Sequence, residues 1–203
     1  MQRGTEFVIM AGRVPLMNSR MSGSEEALAA LSWDCIKGRP SSNILVGGLG
    51  MGFILRKLLE IVDAQTRIAV AELVPEVVDW ARGPLAPTFK GSLDDPRVSI
   101  YVTDVAAAIA AHKARYDAIL LDVDNGPDGL SRPGNDRLYS AKGLGLARSA
   151  LRPGGVLAVW ASEPDAAFTR RLATAGFRVE EKTVRERSNG KGARHTIWLA
   201  ARA

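Results

Sequence analysis

Apolar residues along this chain fall into short runs, and between them the hydrophobic period lengthens to that of a helix. Strand-like runs stand at "NILVG" (43–47), "RIAVAEL" (67–73), "RVSIYV" (97–102), "YDAILLDV" (116–123) and "GVLAVWA" (155–161). Helical patterns fill roughly 52–62, 75–82, 104–113, 138–151 and 164–175. Continuous apolar strands alternating with helices predict an α/β fold, a parallel sheet covered by helices on both faces. Pro75 marks a helix start, and "RPGG" (152–155) ends one helix and opens the next strand. The tail "FRVEEKTVRERSNGKGARHTIWLAAR" predicts two long strands around a turn holding Asn189 and Gly190, so an antiparallel hairpin completes a mostly parallel seven-stranded sheet. Upstream, "EFVIMAGRVPLMN" predicts a small β-hairpin turning at Gly12, and Ser22 with Glu25 fits a capping box before a helix. Residues 1–32 are thus expected to be a hairpin extension plus a helix start, and residues 33–203 one α/β domain.

Bulk properties narrow the function. With 203 residues the chain holds one ordinary domain with a sizeable core. A single cysteine, Cys35, excludes an intrachain disulfide and a cysteine zinc cluster, and favours a reducing, cytoplasmic setting. No metal site is expected. "FVIMA" is too short for a signal-peptide core and no apolar run approaches the roughly 20 residues of a membrane span, so a soluble protein is expected. The net charge of +5 is unevenly spread: from Lys142 onward 12 Lys and Arg face 5 Asp and Glu. Scattered through helix and hairpin positions, these basic residues are expected to form a solvated face, and no nucleic-acid motif accompanies them. His112, His195 and the four tryptophans are expected to serve packing.

Candidate chemistry begins at "NILVGGLGMGF", a strand, a tight glycine turn and a helix start, an arrangement that brings backbone amides close to a ligand. The dinucleotide pattern needs glycine at position 53 or 55, where Phe53 and Leu55 stand, and the P-loop needs a Gly-Lys-Ser/Thr end that is missing. Gly48, Gly50 and Gly52 instead form G-x-G-x-G, a pattern resembling the first motif of class I S-adenosylmethionine-dependent transferases. Three acids follow at strand ends. Glu72 is placed to accept both hydroxyls of an adenosine ribose, and Asp104 to accept the exocyclic amine of adenine, with the Val105 amide offered to a ring nitrogen. Alternatively Asp104 is simply a helix N-cap. Asp122 and Asp124, in "YDAILLDVDNGPDG", suit a sulfonium ligand or an amine substrate.

The order of glycine turn, Glu72, "TDV", "YDAILLDVDNGP" and "LYSAKGLGLARSALRPGGVLAVW" is similar to the spermidine synthase (polyamine aminopropyltransferase) family over about residues 40–165. The resemblance implies a Rossmann-like sheet with a small N-terminal β-domain, and decarboxylated S-adenosylmethionine donating an aminopropyl group to a polyamine. It also implies a dimer. The apolar N-terminal hairpin can pair across a two-fold axis or pack on its own sheet.

Several positions depart from the family pattern. Its glycine turn reads Gly-Gly-Gly-Asp-Gly-Gly, whereas Gly50 or Met51 stands at the aspartate's place here. Its Asp-Ser-Ser-Asp-Pro motif, aligned on Asp122, puts Asn125 at the base position and Asp124 one residue early. An amide is no general base, so Asp124 is the candidate catalytic base, with Asp122 facing the donor's cationic group. The N-terminal Gln and Tyr-His pair of the family are absent from "LMNSRMSGSEEALAAL". Asn125 and Tyr139 are candidates for the acceptor pocket, and the loop from Asn125 to Arg137 is a candidate lid. Two other readings keep the fold: methyl transfer from intact S-adenosylmethionine, and a non-catalytic nucleoside-binding or dimerisation module.

Overall fold

The computed structural model describes residues 2–4, 6–11, 14–123, 127, 136–187 and 189–203. Gly12, Asp124, Asn125 and most of the candidate lid lie outside the described residues. The chain opens with β1 (Gln2–Arg3), β2 (Glu6–Ala11) and β3 (Val14–Asn18), which pair antiparallel in that order. Helix α1 (Gly23–Ile36) leads into β4 (Asn43–Gly47), α2 (Phe53–Ile61), β5 (Arg67–Glu72), α3 (Pro75–Arg82), a short α4 (Ala86–Phe89) and β6 (Val98–Val102). Then come α5 (Val105–Ala110), β7 (Tyr116–Leu121), α6 (Asp136–Tyr139), α7 (Ala141–Ala150), β8 (Leu151–Ala161), α8 (Ala166–Thr174), β9 (Phe177–Arg185) and β10 (Arg194–Arg202).

The main sheet has seven strands in the order β6-β5-β4-β7-β8-β10-β9. The first five are parallel, and β10 runs against both β8 and β9. The burial pattern explains the order. All six residues of β7 and four of five in β4 are buried, as expected of central strands covered on both faces, whereas β6 and β9 at the edges alternate. The chain enters the sheet at its middle: β5 lies on one side of β4 and β7 on the other. A crevice therefore opens beyond the carboxyl end of β4, where the strand order reverses.

Asp117 pins the opposite end. Although only 1% exposed, its carboxylate binds Arg39 at 3.1 Å and Arg152 at 2.9 Å and accepts the Asn43 amide at 2.8 Å. It thus ties β7 to the entry of β4 and to β8.

Four expectations are corrected. Ser22 does not cap α1 with Glu25; its hydroxyl donates to Glu26 Oε1 at 2.7 Å, while Glu25 takes the Ser24 hydroxyl. The helix expected over 138–151 is split by Ser140, which caps α7 by accepting the Gly143 amide while donating to the Arg137 carbonyl. Gly143 permits this close crossing, since a Cβ there would stand 2.2 Å from the Arg137 carbonyl oxygen. "RPGG" lies inside β8, at an irregularity in its pairing with β7. Of the tryptophans, Trp198 is fully buried, but Trp80 is 39% exposed.

Candidate functional site

At the switch point, Gly48, Gly50 and Gly52 have φ of +88°, +50° and +74°. Side-chain-bearing residues rarely adopt this left-handed region, so the G-x-G-x-G spacing follows from the turn's own geometry. Gly52 is also constrained by packing: a Cβ there would stand 2.4 Å from the Phe89 ring. Register brings the strand-end acids to this turn. Gly47 pairs with Ala71 on one side and Leu121 on the other, and Glu72 and Asp122 are the next residues along.

Glu72 is 7% exposed and already engaged. The Leu49 amide donates to its Oε2 and the Val74 amide to its Oε1, both at 2.8 Å. These bonds fix the glycine turn against the end of β5. Each carboxylate oxygen keeps a second lone pair for a ligand hydroxyl. Leu73 beside it is 49% exposed, an apolar surface at the mouth of the crevice. Asp104 is exposed and caps α5, accepting the Ala106 amide at 2.7 Å. Val105 packs its side chain toward the end of β4, and its amide, first in α5, has no intrahelical partner by position.

Asp122 follows β7 and lines a cavity whose other walls come from three places: Met17 of β3, Glu25 of α1, and the glycine turn with Phe53 of α2. Burial pushes the Asp122 carboxyl up to about 8, and the charge of Glu25 adds to the rise. Glu25 is also raised, chiefly by burial, with the charges of Glu26 and Glu186 contributing and the Ser24 hydrogen bond opposing. The charge of Glu25 disfavours the ionised form of Asp122, and a cation brought beside the two favours it.

Of the residues singled out in the sequence, Gly48, Gly50, Glu72 and Asp122 come together around the turn, and Asp104 with Val105 opens the next helix along the sheet. Tyr139 lies elsewhere. It is 3% exposed, packs edge-on to Phe168 at 5.5 Å, and is not among the residues lining the cavity. Sequence reasoning missed Glu25 and Met17 as pocket residues. The one available signal was the missing acid at Gly50 or Met51, which asks for a carboxylate from some other element.

A model of the spermine/spermidine synthase domain matches residues 25–170. The chain belongs to the spermine/spermidine synthase family. The matched span holds the glycine turn and Glu72, Asp104 and Asp122. Over 146 residues the chain is 36% identical to the polyamine aminopropyltransferase of Mycobacterium tuberculosis, covering 68% of this chain and 27% of that protein. It is 33% identical over 144 residues to polyamine aminopropyltransferase 2 of Pseudomonas aeruginosa, covering 66% of this chain and 39% of that one. The chain thus aligns with about a quarter and two fifths of the length of these relatives. In three dimensions it resembles spermidine synthase from Thermotoga maritima, with a TM-score of 0.74 at 20% identity over 93% of this chain and 63% of that one. That likeness establishes the family's Rossmann-like fold. Among the described residues no helix is long and apolar enough to cross a membrane, and no group of metal-ligating side chains is found.

Proposed function

We propose that this chain is a transferase that binds decarboxylated S-adenosylmethionine at the glycine turn and passes its aminopropyl group to a small amine, in the cytoplasm. The observation that carries this reading is the cavity in which Asp122 and Glu25 face the glycine turn in a member of this family. Glu72 offers its remaining lone pairs to the ribose hydroxyls, Leu73 its exposed surface to the adenine ring, and Asp104 and the Val105 amide the polar edge contacts. The acceptor's nitrogen lone pair attacks the aminopropyl carbon bonded to sulfur. The carbon–sulfur bond breaks, its electron pair stays on sulfur, and neutral 5′-methylthioadenosine leaves. Because sulfonium is a good leaving group, the protein's task is alignment and removal of the ammonium proton. Asp124, two residues beyond Asp122, is proposed as the base, with Asn125 beside the acceptor. The loop from Asn125 to Arg137 is proposed as the lid.

Methyl transfer from intact S-adenosylmethionine is the second reading, favoured by the aspartate missing from the glycine turn at Gly50 or Met51, since a donor that keeps its carboxylate would be repelled by an acid there. Calorimetric titration with both donors separates the two. Preference for the decarboxylated donor supports aminopropyl transfer; preference for the intact donor supports methyl transfer; binding of neither removes both. Asp124→Asn should abolish turnover with donor affinity unchanged, and full turnover in that variant would remove Asp124 as base.

A further inference from the structure

Gly50 or Met51 stands where the family's turn carries an acid, and neither position supplies one. A Cβ at Gly50 would lie 2.9 Å from Cε of Met17, which the N-terminal hairpin brings against the turn. Gly50 and Met17 are thus in close contact, through the far end of a flexible side chain. A carboxylate reaches the cavity by another route, from the first turn of α1.

Glu25 is held there by a hydrogen-bonded chain. Its Oε2 accepts the Ser24 hydroxyl at 2.7 Å, and the Ser24 oxygen lies 2.9 Å from Nδ1 of His195 on β10. Ser24 is fully buried, its hydroxyl shared between the Glu25 carboxyl and the His195 imidazole. Two elements distant in sequence, α1 and β10, therefore set the position of one carboxylate. Among the described residues no Lys or Arg lines the cavity; Arg56 of α2 sits over the Phe53 ring at 5.2 Å. The other surfaces are thioether, aliphatic and aromatic, groups that tolerate an alkyl cation well.

We infer that Glu25, positioned by Ser24 and His195, is a specificity-determining residue of this pocket: with Asp122 it selects a donor carrying a cationic alkylammonium or sulfonium group. The inference rests on the donor-binding reading above. On that reading α1 supplies the acid that the turn lacks at Gly50 or Met51.

The test is calorimetry with two ligands that share an adenosine and differ in charge: decarboxylated S-adenosylmethionine, which is cationic, and 5′-methylthioadenosine, which is neutral. The unaltered protein should bind the cationic ligand at least about tenfold more tightly, a difference of about 1.4 kcal/mol. In Glu25→Gln that preference should fall by about tenfold while affinity for 5′-methylthioadenosine stays within about twofold. Should that variant fail to fold by circular dichroism, Ser24→Ala, which releases Glu25 from its position, should lower the preference by about threefold or more. Retention of the full preference in a folded variant, or equal loss of both ligands, overturns the inference and leaves donor binding standing. Absence of a preference in the unaltered protein overturns it as well. If the unaltered protein binds neither ligand, the donor-binding reading falls, and this inference with it.

Discussion

Burial raises the Asp122 carboxyl to about 8, with the charge of Glu25 adding to the rise, and this has a thermodynamic consequence apart from catalysis. The folded-state value for Asp122 is raised from 3.8 to about 8. Between these limits the native protein keeps a proton that the unfolded chain has lost. The stabilising contribution is therefore complete below about 4 and lost as pH rises to about 8, at up to about 1.4 kcal/mol per pH unit from this group. Asp122→Asn should remove that slope and be more stable than the parent above pH 8. Urea unfolding at pH 5, 7 and 9 checks it, and a difference between parent and variant that does not change with pH would contradict the assignment. Asp122 was legible in the sequence because the acid directly follows an apolar strand. Its place beside Glu25 in one pocket was not, because the two are far apart in the chain and meet only when α1 docks.

At the scale of elements, two contacts decide whether the site is held in shape. Gly52 combines a left-handed φ with the Phe89 ring against its α-carbon. Gly52→Ala should cost at least about 2 kcal/mol, more than backbone strain alone, since the ring must also move. Asp117 joins the entry of β4, β7 and β8 at the far end of the sheet. Asp117→Ala leaves two guanidinium groups and one amide without their shared acceptor and should destabilise by about 2–4 kcal/mol. Denaturant titration of each variant measures these losses, and a change below about 0.5 kcal/mol at either position would show that the neighbours relax freely. The strands themselves were readable from apolar runs and the helices from their period. The break at Ser140 was not, because it depends on the crossing that Gly143 permits rather than on local propensity.

For the whole molecule, the basic C-terminal third bears on partner choice. Several of its residues are engaged within the fold: Arg152 with Asp117, Arg171 with Asp165, Lys182 with Glu180, and Arg202 with the carbonyls of Arg148, Ser149 and Leu151. Their charge is in part structural, consistent with a solvated face. Ligand binding at the crevice should be felt by the whole domain. A donor present at about a hundred times its Kd stabilises the native state by about 2.7 kcal/mol, which for a domain of this size raises Tm by about 5–10 °C. Differential scanning fluorimetry with both S-adenosylmethionine forms reads this directly; no shift with either donor at millimolar concentration would contradict nucleoside binding.

By itself the sequence determined the elements, their alternation and the glycine turn, because these depend on residues close together: an apolar period, a proline at a helix start, three glycines where the backbone turns left-handed. It also determined which acids end which strands. Tertiary structure decided what those acids meet. Glu72 is spent partly on the amides of Leu49 and Val74, Tyr139 joins the core against Phe168, and Glu25 enters the pocket through Ser24 and His195. The contacts with Leu49, Phe168 and His195 depend on the docking of elements separated by tens of residues or more, and local periodicity carries no record of them.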